Sequence, residues 1–137
     1  MNLYEALETS YLEHLDKEVL RYAKIYSLDM GEDNKTSHNN EGDAFKHCFM
    51  QAELTLWFGS LIGEMIGIHH ENTNLVNPEK ERKMDLWNNK IGREIGRKIK
   101  SPLWFLHKRA TYNKIAIDIM LRMASGDLIT SLEDARL

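Results

Sequence analysis

A long helical segment of low polarity, residues 42–70, constrains the fold of this chain most strongly. After Glu53 it is apolar on nearly all sides, and a helix without a polar face belongs in the interior of a bundle. As one straight rod it would be about 43 Å long at roughly 1.5 Å per residue, whereas a domain of this size has a radius of gyration of about 14 Å. The segment is therefore expected to bend. Residues 58–60, Phe-Gly-Ser, are the predicted break, because Gly and Ser weaken a helix interior.

Helical periodicity covers most of the remaining chain. Apolar residues recur three or four positions apart over residues 2–27, which predicts an amphipathic first helix. Further helices are predicted over residues 79–100 and 111–125, and a short one over 129–137. Asn39 or Asn40 is expected to cap the central helix. No alternation of period two is present, so the prediction is an all-α fold. We expect a compact bundle of about five helices with a kinked, buried central helix, as one domain over residues 1–137 with a motif-bearing core at 39–97.

Glycines spaced four apart form two ridges. They are Gly59, Gly63 and Gly67, followed by Gly92 and Gly96. Such ridges let helix backbones approach closely, and we expect the helix with the Gly59 ridge to pack against the helix of residues 79–100. His14 lies among charged residues of the first helix and is expected to be solvated.

The composition is ordinary for a globular protein, with 42% hydrophobic and 28% charged residues. Cys48 is the single cysteine, so no internal disulfide can form and a reducing compartment is expected. The longest apolar stretch, residues 54–68, contains Glu64 and is too short to span a bilayer. The N-terminus lacks the basic and apolar regions of a signal peptide. We therefore expect the protein to be in the cytoplasm of its producer. Export by a machinery that needs no signal peptide is left open.

The charges are divided unevenly along the chain. Residues 1–89 carry 8 Lys/Arg and 16 Asp/Glu, whereas residues 90–137 carry 10 and 5. An acidic body with a basic flank suits a cation at a site and an anionic substrate beside it. Basic and aromatic residues alternate over residues 90–109, which suits nucleic-acid phosphates or a lipid headgroup layer. The alternatives are surface pairing of oppositely charged helices, and a solvated helix end whose following aromatics fill the core.

Asp43 and His47 are four positions apart and therefore share one helix face. This spacing suits two ligands of one metal ion, or a carboxylate that orients an imidazole. Asp43 also falls in the first helical turn, where a carboxylate is favourable in any case. A capping Asp beside a His that is satisfied within the core is the alternative that this pair leaves open.

His69, His70 and Glu71 form a second polar cluster. Adjacent residues point about 100° apart on a helix, so at most one of the two histidines is expected to face a shared site, and the sequence does not say which. Glu71 beside a metal ion would act as the general base that deprotonates a bound water. A polar helix end is the alternative. His47 and His69 would stand roughly 33 Å apart on a straight helix, so a metal site that uses both requires the bend.

Asp85, Asn89 and Arg93 form a third cluster, spaced four apart on one helix face. Asn88 and Asn89 lie in mid-helix, where Asn is a poor helix former, and this indicates that their amides bond to something specific. Arg93 is suited to hold a phosphate or carboxylate in a bidentate manner. Pairing of Arg93 within its own helix is the alternative.

Together these clusters resemble a helical bacterial domain family of unknown function. The shared motifs are D-A-F-K-H at residues 43–47, H-E at 70–71 and M-D-x-x-N-N-x-x-G-R at 84–93. Lys46 stands where that family more usually has Arg. The resemblance covers about residues 39–97, and it implies a toxin-type or effector module of the kind found at the ends of larger secreted proteins, with a cognate inhibitor protein. It implies no mechanism.

The leading hypothesis is a small metal-assisted hydrolase that acts on a phosphate-containing substrate, a phospholipid or a nucleic acid. The expected ligands of a divalent ion, with zinc favoured, are Asp43, His47, His69, His70 and Asp85. The expected catalytic groups are Glu71, His47 and Asp85, and the expected substrate-binding groups are Asn88, Asn89 and Arg93. The alternative is a non-enzymatic partner-binding or regulatory module whose polar clusters form a buried hydrogen-bond network. A third hypothesis is nucleic-acid binding through the basic flank.

Overall fold

The fold is built from helices whose ends the sequence marks with caps and breakers. The computed structural model describes residues 2–31, 39–70 and 78–137. Within them the helices are α1 (Leu3–Tyr26), α2 (Glu41–Phe58), α3 (Ser60–His70), α4 (Pro78–Arg97) and α5 (Lys108–Ala124), with a short 3₁₀ helix at Trp104–His107 before α5. No strand occurs in the described ranges. The predicted all-α bundle is confirmed.

The predicted break of the central helix is present at Gly59. This residue has φ +86° and ψ 162°, a combination that a residue with a Cβ adopts only with strain. Its amide donates to the carbonyl of Thr55 at 2.9 Å, which closes α2, and α3 begins at the next residue. The bend folds α3 back so that it packs against both α2 and α4.

Asparagine caps begin the first two helices. The Asn2 side chain accepts from the amide of Glu5, whose carboxylate accepts in return from the amide of Asn2, and this reciprocal pair satisfies two otherwise unpaired donors. The Asn40 side chain accepts from the amide of Asp43 at 3.0 Å. Of the two expected caps for α2, Asn40 is therefore the one that the structure uses.

Glycines allow α2 and α4 to approach each other closely. A Cβ added at Gly92 would overlap the backbone of Cys48, and one added at Gly96 would lie 2.8 Å from the carbonyl oxygen of Ala52. The predicted packing of the helix after Gly59 against residues 79–100 is confirmed, because α3 packs against α4, but the backbone that Gly92 and Gly96 themselves approach is that of α2. The close approach matters for function, since the polar faces of α2 and α4 meet along this contact.

The last nine residues do not form the predicted helix. Residues 129–137 are irregular chain with turns. The backbone of Ile129, which is 1% exposed, bonds to the side chain of Asn88 through both its amide and its carbonyl. The Arg136 guanidinium donates to the carbonyls of Gly126 and Leu128. Side chains thus satisfy backbone groups that helical bonds would otherwise satisfy.

Candidate functional site

The polar face shared by α2 and α4 carries the candidate site. Asp43 and His47 project from α2 at i and i+4, and Asp85 and Asn89 project from α4 at the same spacing. Each pair therefore lies on one side of its own helix. The glycine contact brings these two sides together, and the three acid and imidazole side chains meet between them. We call Asp43, His47 and Asp85 the Asp-His-Asp cluster.

The cluster is tight and largely removed from solvent. The Nε2 atom of His47 lies 3.4 Å from Oδ1 of Asp43 and 3.3 Å from Oδ1 of Asp85. One ligand atom from each of the three residues lies within 4.8 Å of the other two. Asp43 is 7% exposed and Asp85 is 9% exposed, while the imidazole retains 21% of its side-chain surface. Two buried carboxylates thus face one partly accessible ring nitrogen.

Asn89 determines how the imidazole is oriented. The Nδ1 atom of His47 lies 3.1 Å from Oδ1 of Asn89. Because an amide oxygen only accepts, Nδ1 must carry the hydrogen that is donated in this bond. The second ring nitrogen, Nε2, is therefore the one directed at the two carboxylates. In a neutral ring its lone pair would face the carboxylate oxygens, so a proton or a metal ion must lie between these atoms.

A proton is one way to satisfy the cluster. Burial lowers the pKa of His47, but hydrogen bonding to Asp43, the charge of Asp85 and the bond to Asn89 outweigh it and raise the pKa to about 9. An imidazolium at neutral pH would offset one of the two negative charges.

A metal ion is the second way to satisfy the cluster, and the distances between the ligand atoms fit a zinc ion. Two ligand atoms about 2.0–2.2 Å from a zinc ion at the tetrahedral angle are about 3.3–3.6 Å apart. The two His47 distances in the cluster, 3.3 and 3.4 Å, fall within that interval. An imidazole with two carboxylates is also a donor set that zinc and similar divalent ions accept in proteins.

Neighbouring groups hold the cluster in place. The backbone amide of Asn39 donates to Oδ2 of Asp43 at 2.8 Å, which leaves Oδ1 as the oxygen nearer to His47. The Asn39 side chain donates in turn to Oε1 of Glu81 at 3.0 Å. Glu81 is fully buried and lies one helical turn before Asp85. Sequence analysis missed both Asn39 and Glu81 as members of this network, although the four-residue spacing from Glu81 to Asp85 was a signal that could have found the second.

The adjacent asparagines of α4 have different partners. Asn89 lies in the site and binds His47. Asn88 is fully buried on another side of the helix, where its nitrogen donates to the carbonyl of Ile129 at 2.8 Å and its oxygen accepts from the same residue's amide at 3.0 Å. The amide of Asn88 therefore holds the C-terminal segment. The expectation that mid-helix amides bond to something specific holds for both residues, but the structure does not bring Asn88 to the cluster.

Arg93 lies one turn beyond Asn89, and its hydrogen bond is to a residue outside the Asp-His-Asp cluster. Its Nη1 atom donates to Oε1 of Gln51 at 3.3 Å. Gln51 is fully buried and lies one turn after His47 on α2. The alternative in which Arg93 pairs within its own helix is not the arrangement observed. Its predicted role in binding an anion stays a prediction.

The second predicted cluster falls largely outside the described residues. Glu71 is not among them. His69 and His70 form the end of α3, but their side chains also lie outside the described part of the chain. Their predicted roles as metal ligands, and that of Glu71 as general base, stay predictions.

A second histidine–carboxylate pair lies between α1 and α2. The Nε2 atom of His14 is 2.8 Å from Oε2 of Glu53, a carboxylate only 1% exposed. Burial, followed by the influence of Glu53, raises the pKa of the nearby phenols of Tyr11 and Tyr112. The expectation that His14 is a solvated surface residue was wrong, because the buried carboxylate gives its partly exposed ring a partner.

These observations define an all-α bundle with a buried carboxylate–imidazole cluster between two closely packed helices. The chain belongs to a family described as a domain of unknown function (DUF6973), which matches residues 18–125. The match includes the whole Asp-His-Asp cluster. No solved structure matches the chain. Among the described residues, no helix combines the length and the apolar character needed to cross a bilayer.

Proposed function

We propose that the protein is a small metal-assisted hydrolase that acts on a phosphate-containing substrate. In this proposal Asp43, His47 and Asp85 bind one divalent ion, with zinc favoured. The observation that carries the proposal is the convergence of their three ligand atoms within 4.8 Å of one another. The distances of 3.3 and 3.4 Å around Nε2 of His47 are those expected between ligands of one ion.

The donor set suits catalysis better than a purely structural metal site. Structural zinc sites normally have four protein ligands, whereas catalytic sites have three and leave a position for water or substrate. A divalent ion lowers the pKa of a bound water to about 7 and offsets negative charge that develops on a phosphoryl oxygen. The partial exposure of His47 is consistent with access from solvent. Glu71 is retained in the proposal as the base, Asn89 as a substrate-binding residue and Arg93 as the anion-binding group. Asn88 is not retained, because its amide is bonded to the backbone of Ile129.

Surrounding bonds support the proposed ligand roles. Histidines that bind metals almost always donate their other ring N–H to a fixed acceptor, which sets the tautomer and orients the ring. Asn89 supplies such an acceptor at 3.1 Å. The amide of Asn39 similarly holds the oxygen of Asp43 that lies away from His47. Both ligands of α2 are thus oriented before any ion binds.

The decisive experiment combines metal analysis with one matched pair of variants. Protein purified without chelator is analysed for zinc, manganese and nickel, and its turnover is measured on bis(p-nitrophenyl) phosphate, phospholipid vesicles and single-stranded DNA. Asp85→Asn is expected to remove the bound metal and reduce turnover by at least about 100-fold. Glu79→Gln, on the same helix but with 81% of its side chain exposed, is the control and should change neither. Full activity in chelator-treated, metal-free protein would overturn the proposal.

A non-enzymatic module is the second candidate, and the raised pKa of His47 favours it. With a pKa of about 9, the imidazole is protonated at neutral pH, and the cluster then forms a hydrogen-bonded ion network without any metal. In that case the purified protein contains no stoichiometric metal, and addition of zinc, manganese or nickel does not raise its melting temperature. Asp85→Asn would then alter stability with no activity to lose.

The biological setting proposed here follows from the motif resemblance. We infer a bacterial toxin or effector that is made in the producer's cytoplasm, is exported, and is accompanied by a cognate inhibitor protein. Expression of the wild-type chain without such a protein should slow the growth of a bacterial host. Asp85→Asn should relieve this effect, and Glu79→Gln should not.

A further inference from the structure

One end of the bundle exposes apolar side chains from two separate elements. Trp57 lies in the last turn of α2 and is 48% exposed, while the segment around the 3₁₀ helix exposes Leu103, Phe105 and Leu106 by 53%, 43% and 62%. We call these four residues the apolar end patch. Exposed apolar groups scattered singly need no explanation, whereas several exposed apolar side chains on one short segment and on the helix end beside it are typical of an interaction surface.

Trp104 joins the two elements and fixes the patch in place. Its ring is only 7% exposed and packs edge-on against Trp57, with ring centroids 4.9 Å apart. Its centroid also lies 6.4 Å from that of Phe105 and 6.5 Å from that of Tyr112. Sequence analysis left open that the aromatics of this segment fill the core. Trp104 does so, and by doing so it anchors a segment whose neighbours remain exposed.

Positive charge borders one side of the apolar end patch. Residues 97–114 contain six Lys or Arg and no Asp or Glu. Within the part of the chain that the structure describes, Lys98 pairs with Asp118 and Arg109 pairs with Glu18. The remaining four form no ion pair with a described carboxylate, and they are Arg97, Lys100, Lys108 and Lys114. The ammonium of Lys108 lies 5.7 Å from the ring centroid of Trp57, so the charge directly borders the patch.

A polar recess lies beside the patch. This cavity of about 320 Å³ is formed where α2 ends, α3 begins and α4 ends. Its lining includes Arg97 and Lys100, together with the hydroxyl-bearing Ser60 and Ser101, and Trp104 forms one wall. The recess therefore offers cations and hydroxyl groups beside exposed apolar side chains, which matches the polarity gradient of a lipid headgroup layer.

We propose that this end of the bundle is a docking surface for a bilayer that contains anionic phospholipid. The apolar end patch enters the headgroup region, where aromatic and aliphatic side chains of peripheral proteins bind. The surrounding Lys and Arg side chains contact lipid phosphates, which attract basic residues near an anionic surface. This inference is independent of the proposed hydrolase activity, because it requires neither a metal ion nor turnover.

A bilayer explains the patch better than a nucleic acid does. Single-stranded nucleic acids bind through cations and through bases stacked on aromatic rings. Leu103 and Leu106 are more exposed than Trp57 and Phe105, and aliphatic side chains offer no such stacking surface. Insertion into a headgroup layer, in contrast, removes them from water. The combination of exposed leucines with cations that no described carboxylate pairs therefore favours lipid.

Vesicle flotation with the full chain tests the proposal. The probes are phosphatidylcholine vesicles with and without phosphatidylglycerol. The wild-type protein is expected to float with the anionic vesicles and to remain in solution with the neutral ones. Added salt should weaken the binding without abolishing it, because screening acts on the charges and not on the inserted apolar groups.

Two matched pairs of variants locate the surface. Leu106→Glu is expected to reduce partitioning at least about tenfold, while Leu121→Glu, at an equally exposed leucine of α5 (64%), should leave it unchanged. Lys100→Glu should reduce partitioning about fivefold or more. Lys90→Glu, an exposed lysine of α4 outside the 97–114 segment, is its control. Helical circular dichroism checks that all four variants fold.

Several results would overturn the proposal. One is failure of the wild-type protein to float with anionic vesicles, and another is equal loss of binding in Leu106→Glu and Leu121→Glu. Tight binding to a single-stranded oligonucleotide that Leu106→Glu leaves intact, without flotation, would assign the surface to nucleic acid. A dimer in light scattering that Leu106→Glu dissociates would assign it to self-association.

Discussion

Two histidines of this protein each face a buried carboxylate, and their surroundings differ. His14 meets one carboxylate, Glu53, with its Nε2 atom 2.8 Å from Oε2. His47 meets two carboxylates through the same ring nitrogen, at 3.3 and 3.4 Å, while Asn89 occupies its other nitrogen. The His14 ring thus faces a single carboxylate. The cluster at His47 places one ligand atom from each of three residues within 4.8 Å of the others, and this convergence is the physical reason for placing a divalent ion there.

The sharpest way to break this comparison is to replace each histidine by glutamine and measure bound metal. His47→Gln removes one of three proposed ligands, and we expect at least about a 100-fold loss of metal affinity and of any metal-dependent turnover. His14→Gln, outside the cluster, should retain both. The measurements are elemental analysis and a zinc titration with a competing chelator. Equal metal content in the two variants would remove the distinction between the sites.

The pH dependence of metal-free protein gives the next largest effect. The folded pKa of His47, about 9, lies above its ordinary value of 6.5. A raised histidine pKa stabilises the folded state fully below pH 6.5, and this stabilisation is lost as the pH rises through 9. The loss should be on the order of 3 kcal/mol of unfolding free energy. Urea unfolding across this range measures it, with His47→Gln as the control that should not show the same decline. Saturating zinc should reduce the decline, since a metal ion replaces the proton between the same atoms.

The contact between α2 and α4 can be altered without touching either histidine. A Cβ at Gly92 would overlap the backbone of Cys48, so Gly92→Ala must push the two helices apart. We expect a destabilisation of about 2 kcal/mol and weaker metal binding, because ligands from α2 and α4 separate. The pair of His14 and Glu53 joins α1 to α2 and should be unaffected.

Gly126→Ala serves as the control for that substitution. Gly126 has φ +81° and open space around its Cβ position, so alanine there strains a turn but moves no helix. It is expected to lower the unfolding free energy by about 1 kcal/mol while leaving metal binding intact. Unchanged metal affinity in Gly92→Ala would show that the cluster does not depend on the close approach of the helices.

The architecture was largely predictable because its causes are local. The length of an unbroken rod required a bend, and Gly59 supplies it with a positive φ. The capping role of Asn40 and the side-by-side placement of Asp43 with His47 follow from spacing alone. Asp85 shares its helix face with Asn89 for the same reason. The sequence does not indicate how α2 is rotated relative to α4, and this rotation decides whether the two polar faces meet.

The failures share a different cause, namely partners that are distant in sequence. His14 looked solvated because the carboxylate that binds it lies 39 positions away on another helix. The tail was predicted as a helix because its local pattern permits one, whereas Asn88, 41 positions away, bonds the backbone of Ile129 instead. The sequence pattern does not distinguish the roles of Asn88 and Asn89, because only the orientation of α4 determines which amide faces the site.

The smallest expected effect concerns the stability that the pair of His14 and Glu53 contributes. His14→Gln removes a charge-assisted hydrogen bond from Glu53, a carboxylate that is 1% exposed. Because the His14 side chain is itself 38% exposed, water replaces part of the lost interaction, and we expect a destabilisation of about 1–2 kcal/mol. Replacing both members, as His14→Gln with Glu53→Gln, should cost less than the two single changes together, because the second change removes the carboxylate that has lost its His14 partner. A double-mutant cycle by chemical unfolding measures this coupling. Strict additivity would mean that His14 does not stabilise Glu53, and the contrast with His47 would then have to rest on the metal measurements alone.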